Sequence, residues 1–133
     1  MNEATRFLMV DAAPRPVAPF SHAVEAGGWL FVTGQMPTHP DDDSAPLPEG
    51  VVAQTHKVMS NLALVLEGVG YAWSDIVSVR AFLTEFERDY AVFNETYRQY
   101  FPADRLPART CVGVTGLARQ ALVEIDLIAR RAP

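Results

Sequence analysis

The spacing of apolar residues changes period along the chain, and each change marks a predicted element. Thr55, Val58, Met59, Leu62, Leu66 and Val69 recur at helical spacing from Val51 onward, with Gly70 as a natural stop. A second stripe, Tyr90, Phe93, Tyr97 and Tyr100/Phe101, predicts a helix from about Glu87 that Pro102 closes. Those aromatics read most simply as core. Elsewhere the period is two. Arg6–Val10 is a short strand ended by Pro14, Pro16 and Pro19, because proline has no donor for a ladder. Ser21–Ala26 and Trp29–Thr33 flank Gly27-Gly28 and predict a hairpin, since glycine accepts the positive φ of a tight turn. Ile76–Leu83 is a strand with Val77, Val79, Ala81 and Leu83 inward and a mixed face of Ile76, Ser78, Arg80 and Phe82. Ala108–Val114 and Leu122–Arg130 follow as strands around a turn at Gly116, the last with Val123, Ile125, Leu127 and Ala129 inward. Between the hairpin and the first helix, Met36–Gly50 holds four prolines and three consecutive aspartates, which predicts an exposed loop.

The order β-β-β-α-β-α-β-β predicts an α+β domain with a mixed sheet. Two helices cannot cover both faces of such a sheet, so both are expected on one. The opposite face must then meet solvent or another chain. Arg109, Cys111, Glu124 and Asp126 are expected there beside Leu122 and Ile128, a composition that suits a subunit interface with a polar site in it.

Composition narrows the class. The 133 residues fit a single domain spanning 1–133, and 49% apolar with 20% charged residues is a globular balance. A net charge of −5 without a basic stripe disfavours nucleic acid as a partner, because phosphate binding needs dense Lys and Arg. No apolar run approaches the roughly 18 residues of a membrane span. Glu3, Arg6 and Asp11 make the N-terminus unlike a secretory signal, and one cysteine fits a reducing compartment, so a cytoplasmic location is expected.

Candidate chemistry concentrates on the last two strands. If they pair as a hairpin, Arg109 and Glu124 sit on neighbouring strands. A guanidinium fork matches a carboxylate in bidentate fashion, and a carboxyl left over could take a proton from water. Spacing alone favours the plainer alternative, in which Arg109 and Glu124 form a structural cross-strand bridge. Cys111 has no histidine partner identifiable in the sequence and reads as a small buried hydrophobe. His22, His39 and His56 lack metal-ligand spacing, and Asp41–Asp43 lacks the glycine and distal glutamate of a calcium loop, so no metal is expected. Asn94 interrupts the second helix near its inner stripe, where an amide needs a partner or lines a site.

Several segments in register carry a family resemblance. Pro19-Phe20-Ser21-His22-Ala23-Val24 and Leu30-Phe31-Val32-Thr33-Gly34-Gln35 resemble the N-terminal hairpin of the RidA/YjgF family of enamine/imine deaminases. Gln54-Thr55 with Asn61-Leu62, Phe93-Asn94 with Tyr97, Pro107-Ala108-Arg109-Thr110 and Val123-Glu124-Ile125 resemble its helices and closing strands. The resemblance implies a chorismate-mutase-like fold and a homotrimeric barrel with clefts between subunits. It implies hydrolysis of 2-enamino or 2-imino acids such as 2-aminoacrylate to 2-keto acids and ammonia, without a cofactor. Carried over, Arg109 would clamp the substrate carboxylate and Glu124 would activate water. The main chain at Cys111 would bond the substrate nitrogen, with Phe20, Thr33 and Asn94 lining the pocket. Phe20 stands where the family pattern has tyrosine, Thr33 where it has serine, and the Pro37–Pro48 loop is longer than the pattern. The alternative is a non-catalytic trimer of the same fold that binds a small carboxylate or a partner protein. Glu124 argues for the enzyme, because a carboxylate binder gains nothing from a second negative charge. An isomerase like chorismate mutase would want more cations than Arg109 and Arg80 supply.

Overall fold

Period-two alternation and glycine or proline punctuation give six strands and two helices in the expected order. A computed structural model describes residues 4–132, so Glu3 lies outside the described residues. The elements are β1 (Arg6–Leu8), β2 (Ala23–Ala26), β3 (Trp29–Gln35), α1 (Gly50–Gly68), β4 (Ile76–Leu83), α2 (Phe86–Arg98), β5 (Ala108–Gly113) and β6 (Val123–Arg130). Gly27 and Gly28 turn the β2–β3 hairpin at φ 56° and 85°, a conformation that a side chain would strain. Gly70, at φ 81°, ends the first helix, and the Tyr71 amide behind it donates to the Leu66 carbonyl at 3.0 Å.

The strands form one mixed sheet in the order β1-β2-β3-β6-β4-β5. All neighbours are antiparallel except β4 and β5, which run parallel and are joined through α2. Val58, Met59, Leu62, Val65 and Leu66 of α1 and Phe93 of α2 are buried with the strand residues Leu30, Val79, Ala81, Leu83, Val123, Ile125 and Leu127 in one core cluster. Both helices therefore lie on one face. The other face is uncovered within the chain, leaving Phe31 47% and Val112 39% exposed.

Four sequence expectations change. First, β5 does not pair with β6, because β4 lies between them and bonds to both. A helical crossover returns the chain parallel to the strand it left, so β5 joins β4 at the sheet edge. Second, the register places Arg109 beside Val79 and Cys111 beside Ala81, both buried. Laterally paired residues project to the same side, so Arg109 and Cys111 belong to the helix-covered face, away from the mixed face expected of them. Third, an irregularity between Ile76 and Ser78 turns Ile76 inward at 7% exposure and Val77 outward at 41%. Fourth, Tyr90 is exposed and stacks on Phe86 at 4.7 Å between ring centroids, outside the core.

Candidate functional site

Arg109 emerges from edge strand β5 beneath the inner stripe of α2. Its guanidinium carbon lies 4.9 Å from the Tyr97 ring centre and 5.7 Å from that of Phe93, so the cation rests against two aromatic faces. Among the described residues no carboxylate pairs with it. Asn94, Tyr97, Arg98, Leu106, Pro107 and Arg109 line a hollow of about 220 Å³. Two buried polar atoms of this lining, Asn94 Oδ1 and the Tyr97 hydroxyl, have no hydrogen-bond partner among the described residues. Leaving such atoms dry and unpaired costs free energy unless something supplies the missing bonds. Burial pushes the Tyr97 phenol up to about 12, opposed by Arg109, so it stays a neutral donor at physiological pH. Cys111 lies two residues beyond Arg109 on the same side of β5. Burial pushes its thiol up, again against Arg109, which is the opposite of what a nucleophilic cysteine needs.

Glu124 belongs to a second cluster on the uncovered face. Its carboxyl lies so close over Gly34 of β3 that a Cβ added at Gly34 would overlap Oε2. Desolvation first, and the neighbouring Asp126 second, hold its pKa above the ordinary carboxylate value. Asp126 itself is spent on Arg80, which donates to both of its oxygens at 3.0 and 2.6 Å. Phe20 and Gly34 line a common small cavity with Asp43 and Met36, and Phe20 is 40% exposed. Thr33 precedes Gly34 where the β3–β6 register shifts, and its amide donates to the His22 carbonyl at 3.0 Å.

The predicted residues thus fall into two groups. Arg109, Asn94 and Cys111 come together under α2; Glu124, Phe20 and Thr33 gather around Gly34. Within one chain the two groups do not meet, because Arg109 and Glu124 occupy opposite faces with β4 between them. The same arrangement rules out the structural Arg109–Glu124 bridge. Each charge stands open.

Sequence reasoning missed Gly34 and the Tyr97 hydroxyl. A lone glycine inside a strand pattern is a signal of close approach, so Gly34 was findable. An aromatic at helical spacing reads as core whether or not its hydroxyl is partnered, so Tyr97 was not. Among the described residues no three His, Cys, Asp or Glu side chains group to hold a metal ion, and no helix is long and apolar enough to cross a membrane.

Residues 10–131 match the protein family described as Endoribonuclease L-PSP. The chain belongs to this family, known also as RidA/YjgF. It is 36% identical over 123 residues to a RutC family protein of Pyrococcus horikoshii, covering 92% of this chain and 94% of that one. It is 40% identical over 129 residues to Protein DfrA of Myxococcus xanthus, covering 95% of each. Among solved structures, RidA from the Antarctic bacterium Psychrobacter sp. superposes with a TM-score of 0.87 at 31% identity, covering 95% of this chain and 99% of that one. The YjgF gene product of E. coli superposes at 0.85 with 28% identity, covering 96% and 99%. The RidA/YjgF fold expected from the sequence, two helices on a mixed six-stranded sheet, is the fold found.

Proposed function

We propose that this RidA/YjgF member hydrolyses 2-imino acids, and the 2-enamino acids that tautomerise to them (2-aminoacrylate-like compounds), to 2-keto acids and ammonia. One observation carries the reading: among the described residues, the Arg109 guanidinium has no carboxylate partner and the desolvated Glu124 carboxyl has no cationic one. Folding alone explains neither. A substrate with a carboxylate beside an electrophilic carbon satisfies the first and gives the second a task.

Arg109 binds the substrate carboxylate as a two-pronged donor, its plane held by Tyr97 and Phe93. The main chain at Cys111 holds the substrate nitrogen, and Asn94 lines the pocket. Glu124 takes a proton from water as the oxygen adds to the carbon of the N-protonated imine. Glu124 returns that proton to the amino nitrogen of the resulting carbinolamine. The C–N bond then breaks as the hydroxyl proton passes to Glu124, leaving a 2-keto acid and ammonia, which takes the proton from Glu124 and departs as ammonium. Water is the only co-reactant in this balance. A carboxyl whose pKa is raised by desolvation can both take and return a proton, and such catalysis supplies about 10²–10⁴-fold. The imine is already reactive, so positioning accounts for much of the rest.

Because the two groups sit on opposite faces, a productive site takes Arg109 from one protomer and Glu124 from the next. The uncovered sheet face, with Phe31, Val112 and the Arg80–Asp126 pair, is the surface that a homotrimeric barrel would close. We place the protein in the cytoplasm, where a free thiol such as Cys111 persists. The direct test couples a serine or threonine dehydratase to this protein and follows keto-acid release. Acceleration supports the reading. Binding of small carboxylates with no acceleration for any imino acid would replace it with the non-catalytic carboxylate-binding alternative.

A further inference from the structure

At the β2–β3 turn, remote from Glu124 and Gly34 at the other end of β3, the chain gathers three of its eleven basic residues. Arg6, Arg130 and Arg131 line, with Glu25, Gly27 and Gly28, a hollow of about 370 Å³. Buried Glu25 organises two of these guanidiniums. It accepts from Arg6 Nε at 2.8 Å and Nη2 at 2.5 Å, from Arg131 Nη2 at 3.4 Å and from the Tyr71 hydroxyl at 2.7 Å. Arg131 is fixed further by donating from Nη1 to the Gly70 carbonyl at 2.7 Å and by lying 4.5 Å over the Tyr71 ring. These bonds hold the Glu25 carboxyl below its usual range, Tyr71 contributing most and Arg6 next. Glu25 is thus a settled anion, and it cancels only one of three positive charges.

Arg130 completes the corner. Its guanidinium lies 5.3 Å over the Trp29 ring, and no described carboxylate pairs with it. In a chain of net charge −5, the described lining of this hollow sets three guanidiniums against one carboxylate, and Glu25 fixes the donors of two of them in advance. Roughly half of the Arg6 and Arg131 side-chain surface stays open to solvent, so the donors that Glu25 does not use remain available. We propose that this hollow is a binding site for a diphosphate-type oxyanion, separate from the imino-acid site. Guanidinium forks match phosphoryl oxygens in paired fashion, and a group carrying two or more negative charges balances what Glu25 leaves over. A single carboxylate would leave one cation unanswered.

Pyrophosphate serves as the probe, added to the full chain and read by isothermal calorimetry and by thermal shift against sodium chloride at equal ionic strength. Saturable binding with a raised Tm is expected. Arg130→Ala should weaken it at least tenfold at little cost to the Tm without pyrophosphate, because Arg130 takes no part in the Glu25 network and loses only its Trp29 contact. Arg109→Ala should bind pyrophosphate as the wild type does. Heats no larger than those of chloride, wild-type affinity in Arg130→Ala, loss of binding in Arg109→Ala, or tighter binding of citrate than of pyrophosphate would each overturn the assignment. None of these readouts depends on imine hydrolysis.

Discussion

Arg109 and Glu124 flank β4 from opposite sides and opposite faces, Arg109 registered on Val79 and Glu124 on Phe82. This relationship keeps the two charges from neutralising one another. Had β5 paired with β6, a mutual salt bridge would have been within reach. With β4 between them, neither charge can serve as the other's partner within one chain.

Arg109 is expected to act through substrate affinity. Arg109→Ala should abolish the acceleration of keto-acid release in the dehydratase-coupled assay, and Arg109→Lys should raise KM by about 10–100-fold. That range follows from losing one hydrogen bond to a charged group, about 1.5–3 kcal/mol. Steady-state kinetics over a range of imino-acid supply check it. An Arg109→Ala variant as fast as wild type would remove the carboxylate clamp.

Glu124 links activity to stability with opposite signs. Its folded pKa lies above the ordinary glutamate value because it is desolvated and faces Asp126. The folded chain therefore holds this proton more tightly than the unfolded chain does. As pH rises from below the ordinary carboxylate range, the unfolded state ionises first and the folded state loses stability. Glu124→Gln should accordingly melt higher than wild type at about pH 7, with the gap closing toward about pH 4. The same substitution should cut kcat at least tenfold and remove the acidic limb from the pH profile of kcat/KM. Melting curves and rate profiles at several pH values read both effects, and a Gln variant that melts lower at neutral pH would contradict the desolvation argument.

Gly34 is expected to position Glu124. No positive φ is recorded there, so alanine is tolerated by the backbone, yet its Cβ would push the Glu124 carboxyl aside. A displacement near 1 Å at a reacting group can cost about 10²-fold, so Gly34→Ala should lose at least tenfold in kcat. Combined with Glu124→Gln it should lose nothing further, because the group it displaces is already disabled. Full additivity in that double-mutant cycle would show that Gly34 acts elsewhere.

The elements were legible and their neighbours were not. Helix α1 and the hairpin at Gly27-Gly28 follow from period and turn chemistry, which are local properties of the chain. Strand pairing is not local. β5 and β6 are consecutive and look like a hairpin, but α2 between β4 and β5 forces a parallel return that puts β5 at the edge. The face of Arg109 followed from that pairing and could not be counted from its own strand. The irregularity after Ile76 likewise reverses which of Ile76 and Val77 is buried, with no residue to announce it. The site chemistry was legible only in part. The RidA/YjgF resemblance named Arg109 and Glu124, whereas their separation by β4 emerged only in three dimensions.

The shared site is tested most directly by mixing two disabled subunits. Arg109→Ala, which is expected to be inactive, and Glu124→Gln, which keeps at most a tenth of the wild-type kcat, are combined in equal amounts, unfolded, refolded together and assayed for keto-acid release, with the assembly mass measured alongside. If each site draws Arg109 from one protomer and Glu124 from its neighbour, random trimers regain activity in about a quarter of their sites. A refolded trimeric mixture no more active than the average of its two components would contradict the account.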